Sequence, residues 1–113
     1  MGDDILVATT DTVPGYRVVK VLGVVSGSSV RARHLGRDIV ATVRTILGGE
    51  VKEYTELLAH AREEALSRMK EKARKMGANA VIGFRFATSM IGGRTSEILA
   101  YGTAVVLEEA SER

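Results

Sequence analysis

The chain has no cysteine, no tryptophan and a single proline, and its only aromatic residues are three tyrosines and two phenylalanines. Without cysteine there are no disulfides, no thiolate nucleophile, no Cys-type zinc site and no iron–sulfur ligation. Two histidines and four methionines are a thin supply for capturing a soft metal. No apolar run approaches the ~20 residues of a membrane span. The start, Met1-Gly2-Asp3-Asp4, is acidic and lacks the basic region of a signal peptide, so a cytoplasmic protein is expected. Familiar catalytic signatures are missing too. There is no H-E-x-x-H, G-x-S-x-G, G-x-G or G-K-[ST], so neither an enzyme nor a cofactor is expected. Nor is there an excess of one charge. Sixteen Lys and Arg against fourteen Asp and Glu leave +2, which demands no polyanionic partner.

What is present is ordinary for a globular protein: 45% hydrophobic and 27% charged residues in 113. That length predicts one domain over 1–113, with 108–113 as a polar tail. Ile5 to Thr10 is β-prone, and Val13-Pro14-Gly15-Tyr16 reads as a turn. A valine-rich strand follows from Tyr16 to Val25, with Gly23 marking a bulge or bend. Ser26-Gly27-Ser28-Ser29 reads as a break in it, before a short continuation through Val30, Ala32 and His34.

Two helices are predicted next. Ile39, Val43, Ile46 and Leu47 share one helical face, with Asp38 at the start and Gly48-Gly49 as the stop. The second helix runs from about Val51 to Met76 on the stripe Tyr54, Leu58, Ala61, Ala65, Met69, Ala73 and Met76. Glutamates at its N-terminal end and Lys70, Lys72, Arg74 and Lys75 at its C-terminal end complement the macrodipole, and Gly77 caps it. A hairpin closes the domain, Ala80 to Met90 and Glu97 to Leu107, turning through Gly92-Gly93.

The class is therefore α+β in the order β-β-α-α-β-β, a small sheet covered by two helices. Both hairpin strands are apolar on both faces. In the last strand Ile98, Ala100, Ala104 and Val106 point one way and Leu99, Tyr101, Val105 and Leu107 the other. Helices cover one face of a sheet this small. The other needs a cover that so short a chain lacks, and a second subunit is the economical source. Self-assembly is expected.

Several stretches in order resemble the YbjQ family of small uncharacterised proteins. They include Val13-Pro14-Gly15-Tyr16, Leu22-Gly23-Val24-Val25-Ser26-Gly27, Gly36-Arg37-Asp38, Gly48-Gly49-Glu50 and Tyr54-Thr55-Glu56-Leu57-Leu58. Ala61-Arg62, Arg68-Met69, Gly77-Ala78-Asn79-Ala80-Val81-Ile82-Gly83, Arg85-Phe86 and Ala100-Tyr101-Gly102-Thr103-Ala104-Val105 continue the match. The resemblance implies a β/α subunit in a homo-oligomeric ring, a pentamer, joined by strand and helix contacts. The family often carries the description "putative heavy-metal-binding". It usually has an acidic residue after the Arg-Phe pair, where this chain has Ala87, and another where Met90 stands.

The densest functional-looking segment is Arg31-Ala32-Arg33-His34-Leu35-Gly36-Arg37-Asp38, with Arg44 beyond it. Guanidinium forks beside a helix start suit a phosphate or carboxylate, which makes Arg33, Arg37 and Asp38 the candidate ligand-binding residues. The competing reading pairs these arginines with glutamates of the second helix or of a neighbouring subunit. Glu56, His60 and Glu64 share a helical face at i, i+4 and i+8 and provide the candidate metal stripe, a spacing that any solvated helix face also produces. Glu64–Arg68 and Glu71–Lys75 read as helix-supporting ion pairs, and Arg85 with Glu97 as a buried pair. Tyr54, Phe84, Phe86 and Tyr101 fall on faces predicted to be buried, which argues against a nucleic-acid platform. The function expected is a homo-oligomeric binding or scaffolding protein, with heavy-metal binding as the alternative.

Overall fold

The computed structural model describes residues 4–32, 52–91 and 95–111. The expected first helix, from Asp38 to Leu47, lies outside them, so cover by two helices is a reading of residues beyond the described set. The described elements are β1 (Leu6–Val7), β2 (Tyr16–Ala32), α1 (Lys52–Met76), β3 (Ala80–Ile91) and β4 (Thr95–Glu109). They form an α+β fold, a four-stranded sheet in the order β1-β3-β4-β2 with α1 on one face. β1 runs parallel to β3, and the other neighbours are antiparallel. The strand expected from Ile5 to Thr10 is only two residues long, and β4 runs two residues into the expected tail.

α1 follows its stripe from Leu58 to Ala73, while Met76, the last expected member, is 38% exposed. Ala61, Ala65, Met69 and Ala73 are all buried, and Leu58 and Leu66 pack at the margin. The helix ends as its glycine predicts. Gly77 takes φ +95°, its N–H donates to the Arg74 carbonyl, and Ala78 N–H donates to the Ala73 carbonyl, each at 3.0 Å. Those two bonds satisfy last-turn carbonyls in the Schellman pattern. Two residues on, Asn79 extends the β3–β4 ladder with its side chain. Leu107 N–H donates to Asn79 Oδ1 at 2.8 Å, and Asn79 Nδ2 donates to the Leu107 carbonyl at 2.9 Å.

The expected break at Ser26–Ser29 does not occur. β2 passes straight through it, pairing Ser26 with Tyr101, Gly27 with Ala100 and Ser29 with Ile98. The small residues there serve close packing instead of a turn. A Cβ on Gly27 would run into the Met69 backbone nitrogen and lie 2.6 Å from the Ala65 carbonyl oxygen. Only glycine lets the helix backbone settle so near the strand. The bend falls where expected, at Gly23, with φ +126° and a register shift between Val21 and Gly23.

At ~3.3 Å per residue, the unbroken seventeen-residue β2 makes the molecule long, with extents of 63 × 24 × 24 Å. Its radius of gyration is 18.1 Å, against about 13 Å for a compact chain of this length. The helix-side core joins Val25, Ala61, Ala65, Met69, Val81, Ala100 and Ala104 with Ile5 of the N-terminal segment. A smaller second core lies on the far face, where Val13 and Ile82 pack on Ala80, Val105 and Leu107.

Candidate functional site

The three candidate ligand-binding residues, Arg33, Arg37 and Asp38, lie outside the described residues, as do His34 and Arg44. The described residues that precede them in sequence are the end of β2, on which α1 packs. There the polar contacts form one cluster. Ser29, fully buried, donates from Oγ to Glu64 Oε1 at 2.6 Å. Arg68 Nη2 donates to Glu64 Oε2 at 3.1 Å, and Arg68 Nη1 to the Ser28 carbonyl at 2.7 Å. One carboxylate thus bridges strand and helix, and one guanidinium reaches past it to the strand backbone. Sequence reasoning missed Ser29, because a serine in a Ser-Gly-Ser-Ser run reads as turn material. The signal that could have found it is the period-two series Val25, Gly27 and Ser29 facing the alanines of α1.

This cluster changes the reading of the helical stripe. Glu56 and His60 are exposed, whereas Glu64 is engaged by Ser29 and Arg68. Among the described residues no three His, Asp or Glu side chains come together as a metal-ion site. Glu64–Arg68 forms as predicted, at 3.1 Å. Glu71 pairs with Arg74 at 2.6 Å, so the i, i+3 partner takes the place of the expected Lys75. Such exposed pairs each contribute about 0.3–0.5 kcal/mol.

Arg85 does not meet Glu97. The register sets Arg85 opposite Tyr101 and Glu97 opposite Ser89, which donates to it at 3.3 Å. Arg85 Nη1 instead donates to the Thr9 and Phe84 carbonyls at 3.0 and 2.8 Å, tying the N-terminal segment to β3. The expectation that Phe86 and Tyr101 are buried also fails, since they are 41% and 36% exposed. α1 lies over β2 and β4 and barely reaches β3, which leaves Phe86 at the uncovered margin, edge-to-face with Phe84 at 4.9 Å. Phe86 pairs with buried Ala100, and Tyr101 follows Ala100 on β4, so the two exposed rings project from opposite faces of the sheet and form no shared stacking platform.

The far face of β2 is uncovered among the described residues. Val13 shields Val105 and Leu107 but not the neighbouring strand, where Val21 is 65% and Val24 79% exposed. Val18 and Tyr101 are exposed on the same face, and Val30 lies farther along it, beyond Ser26 and Ser28. Lone exposed apolar residues need no explanation, but a contiguous patch marks an interaction site. No helix among the described residues is long and apolar enough to cross a membrane.

Comparison with known proteins agrees over nearly the whole chain. A family model described as "Putative heavy-metal-binding" matches residues 5–108. A UPF0145 protein of Pyrococcus furiosus is 61% identical over 106 residues, covering 94% of this chain and 93% of its own. Its counterpart in Thermus thermophilus is 58% identical over 110 residues, covering 97% and 96%. The Thermotoga maritima UPF0145 protein is 58% identical over 104 residues, covering 92% and 98%. Among solved structures, a protein of unknown function of the DUF74 family from Pediococcus pentosaceus matches with a TM-score of 0.65 at 18% identity, over 92% of this chain and 98% of its own. At that identity the likeness is one of fold.

Proposed function

We propose, from the premise that the chain belongs to the YbjQ family, that it is a homo-oligomeric binding or scaffolding protein. The observation that carries this reading is the bare far face of β2, with Val21 and Val24 largely exposed beside a neighbouring strand whose valine is fully buried. Covering those side chains would contribute roughly 1.5–3 kcal/mol for each one fully buried. The subunit's length favours assembly as well, because a slender sheet has much edge and little interior of its own. The ring of five implied by the family resemblance is part of the proposal.

The ligand proposed for the assembly is a small anion held at a subunit interface by Arg33 and Arg37, with Asp38 beside them. Arginine clustering next to an expected helix start supports it, together with the position of the segment just beyond β2. A thermal-shift screen of carboxylates and phosphates tests it. Stabilisation of the parent that disappears in an Arg33→Ala, Arg37→Ala variant is the expected result, and equal shifts in both overturn the assignment.

Heavy-metal binding is the second reading, carried by the description of the family. It predicts metal co-purifying at a fixed ratio per subunit and lost on His34→Ala or His60→Ala. The engagement of Glu64 by Ser29 and Arg68 weighs against the Glu56–His60–Glu64 stripe as its site.

A further inference from the structure

The N-terminal segment reaches both faces of the sheet. Ile5 is buried in the helix-side core, with Val7 packed at its margin. Val13 packs on Val105 and Leu107 on the far side. Between them the chain crosses the outer edge of β3, where backbone bonds hold it. Leu6 N–H donates to the Asn79 carbonyl at 3.2 Å, and Ala8 N–H to the Val81 carbonyl at 2.9 Å. The next two bonds run the other way, at the irregularity where Gly83 and Phe84 have no partner in the β4 register. Gly83 N–H donates to the Thr10 carbonyl at 3.0 Å, and Phe84 N–H to the Ala8 carbonyl at 3.1 Å.

Two cations pin this crossing from outside. Lys70 Nζ lies 3.3 Å from Asp4 Oδ1 at the near end. Arg85 Nη1 donates to the Thr9 and Phe84 carbonyls together, clamping the segment to β3. Both bonds of Arg85 are exposed, so water competes for them. Of residues 4–13 only Ile5 is buried. β3, in contrast, is paired with β4 from Ala80 to Ile91 and keeps that ladder without the segment. One buried side chain, a short row of backbone bonds and solvent-exposed pins place the segment at the low-stability end of the fold.

We infer that residues 5–13 are a strap that opens as one unit, with Arg85 as its latch, and that opening uncovers both faces of the sheet at once. On the helix side it withdraws Ile5. On the far side it removes Val13 from Val105 and Leu107, which stand opposite Val21 and Val18 in the register. Those two valines of β2 are already exposed. Opening therefore widens an apolar strip of one strand into one of two strands, the kind of contiguous patch that marks an interaction site. The strap sets how much apolar surface the far face offers. It is a device of the single chain and stands whether or not copies assemble.

Because the chain has no cysteine, a thiol introduced by substitution is the only one present. Ile5→Cys reports the helix side and Val105→Cys the far side beneath Val13. Val25→Cys is the control, buried like the others but on β2, at the opposite edge of the sheet from the strap. Labelling with a small disulfide reagent, corrected for the reactivity of each thiol in urea, gives the opening rates. Ile5→Cys and Val105→Cys should share one rate, at least ~10-fold above that of Val25→Cys. Adding Arg85→Met should speed both by about 5-fold. Arg85→Lys, which keeps a donor for the Thr9 carbonyl, should speed both by less. Ile5→Cys as slow as Val25→Cys overturns the inference, as does an Arg85→Met effect at one site alone. Where a cysteine loosens the fold, amide exchange of the unsubstituted chain makes the same comparison. The N–H groups of Leu6, Ala8, Gly83 and Phe84 should share one opening free energy below that of the β3–β4 ladder. Four unequal values, or four equal to the ladder's, contradict the strap.

Discussion

Val24 and Val25 are neighbours on one strand, yet Val24 is 79% exposed and Val25 3%. The contrast between them is the contrast between the two faces of the sheet. On the helix side, Val25, Gly27 and Ser29 meet Ala61, Ala65 and Met69 at separations that tolerate no added atom at Gly27. On the far side, the N-terminal segment covers β4 near Val105 and stops short of β2. Small residues let α1 close the helix side over β2 and β4. Larger apolar ones stand exposed on the far side of β2.

Substitutions that invade the helix side should have the largest effect. Gly27→Val drives a branched side chain into the backbone of α1 and is expected to cost about 3 kcal/mol or more, seen as loss of cooperative unfolding. Val25→Ser should follow at about 3 kcal/mol, combining lost apolar burial with a buried hydroxyl, measured by urea denaturation. Ser29→Ala removes the O–H that Glu64 Oε1 accepts and is expected to cost about 1–3 kcal/mol. In the same assay, a Ser29→Ala variant as stable as the parent would make the Ser29–Glu64 contact incidental. Val24→Ser should change the stability of the isolated subunit by no more than about 0.5 kcal/mol. Because stability gained through assembly depends on protein concentration, Val24→Ser should also weaken the dependence of Tm on concentration. Comparable losses from Val24→Ser and Val25→Ser in a monomeric background would erase the distinction between the faces.

The parts of this fold that could be read from sequence are those where one periodicity dominates. The 4-3-4-4 stripe of α1 and the Gly77 cap needed no tertiary information, because the buried side of a helix is set by its own spacing. Gly23 announced its bulge for a similarly local reason. The Ser26–Ser29 segment was opaque because its composition answers to a long-range contact: the helix that requires Gly27 and buries Ser29 lies about forty residues later. Arg85 shows the same limit. Its partner depends on hairpin register, which sets Arg85 against Tyr101 and Glu97 against Ser89; the irregularity between Ile82 and Arg85, where Gly83 takes φ +64°, moves Arg85 by one place, from Ala100 to Tyr101. Of the candidate site, the arginine cluster was legible as a pattern and falls outside the described residues. The two-sided apolar character of β4 pointed to a second cover, but Val13 and Ile82 of the chain itself supply it at Val105 and Leu107, and the exposed valines lie on β2, where the sequence reading did not look.

The most direct test of the central claim is native mass spectrometry of untagged protein in a volatile buffer without added metal. A mass of five subunits is the predicted result, and an integral excess per subunit would also weigh the proposed ligand. A single-subunit mass would contradict the account, because the valines of β2 would then stand exposed to water with no partner to cover them.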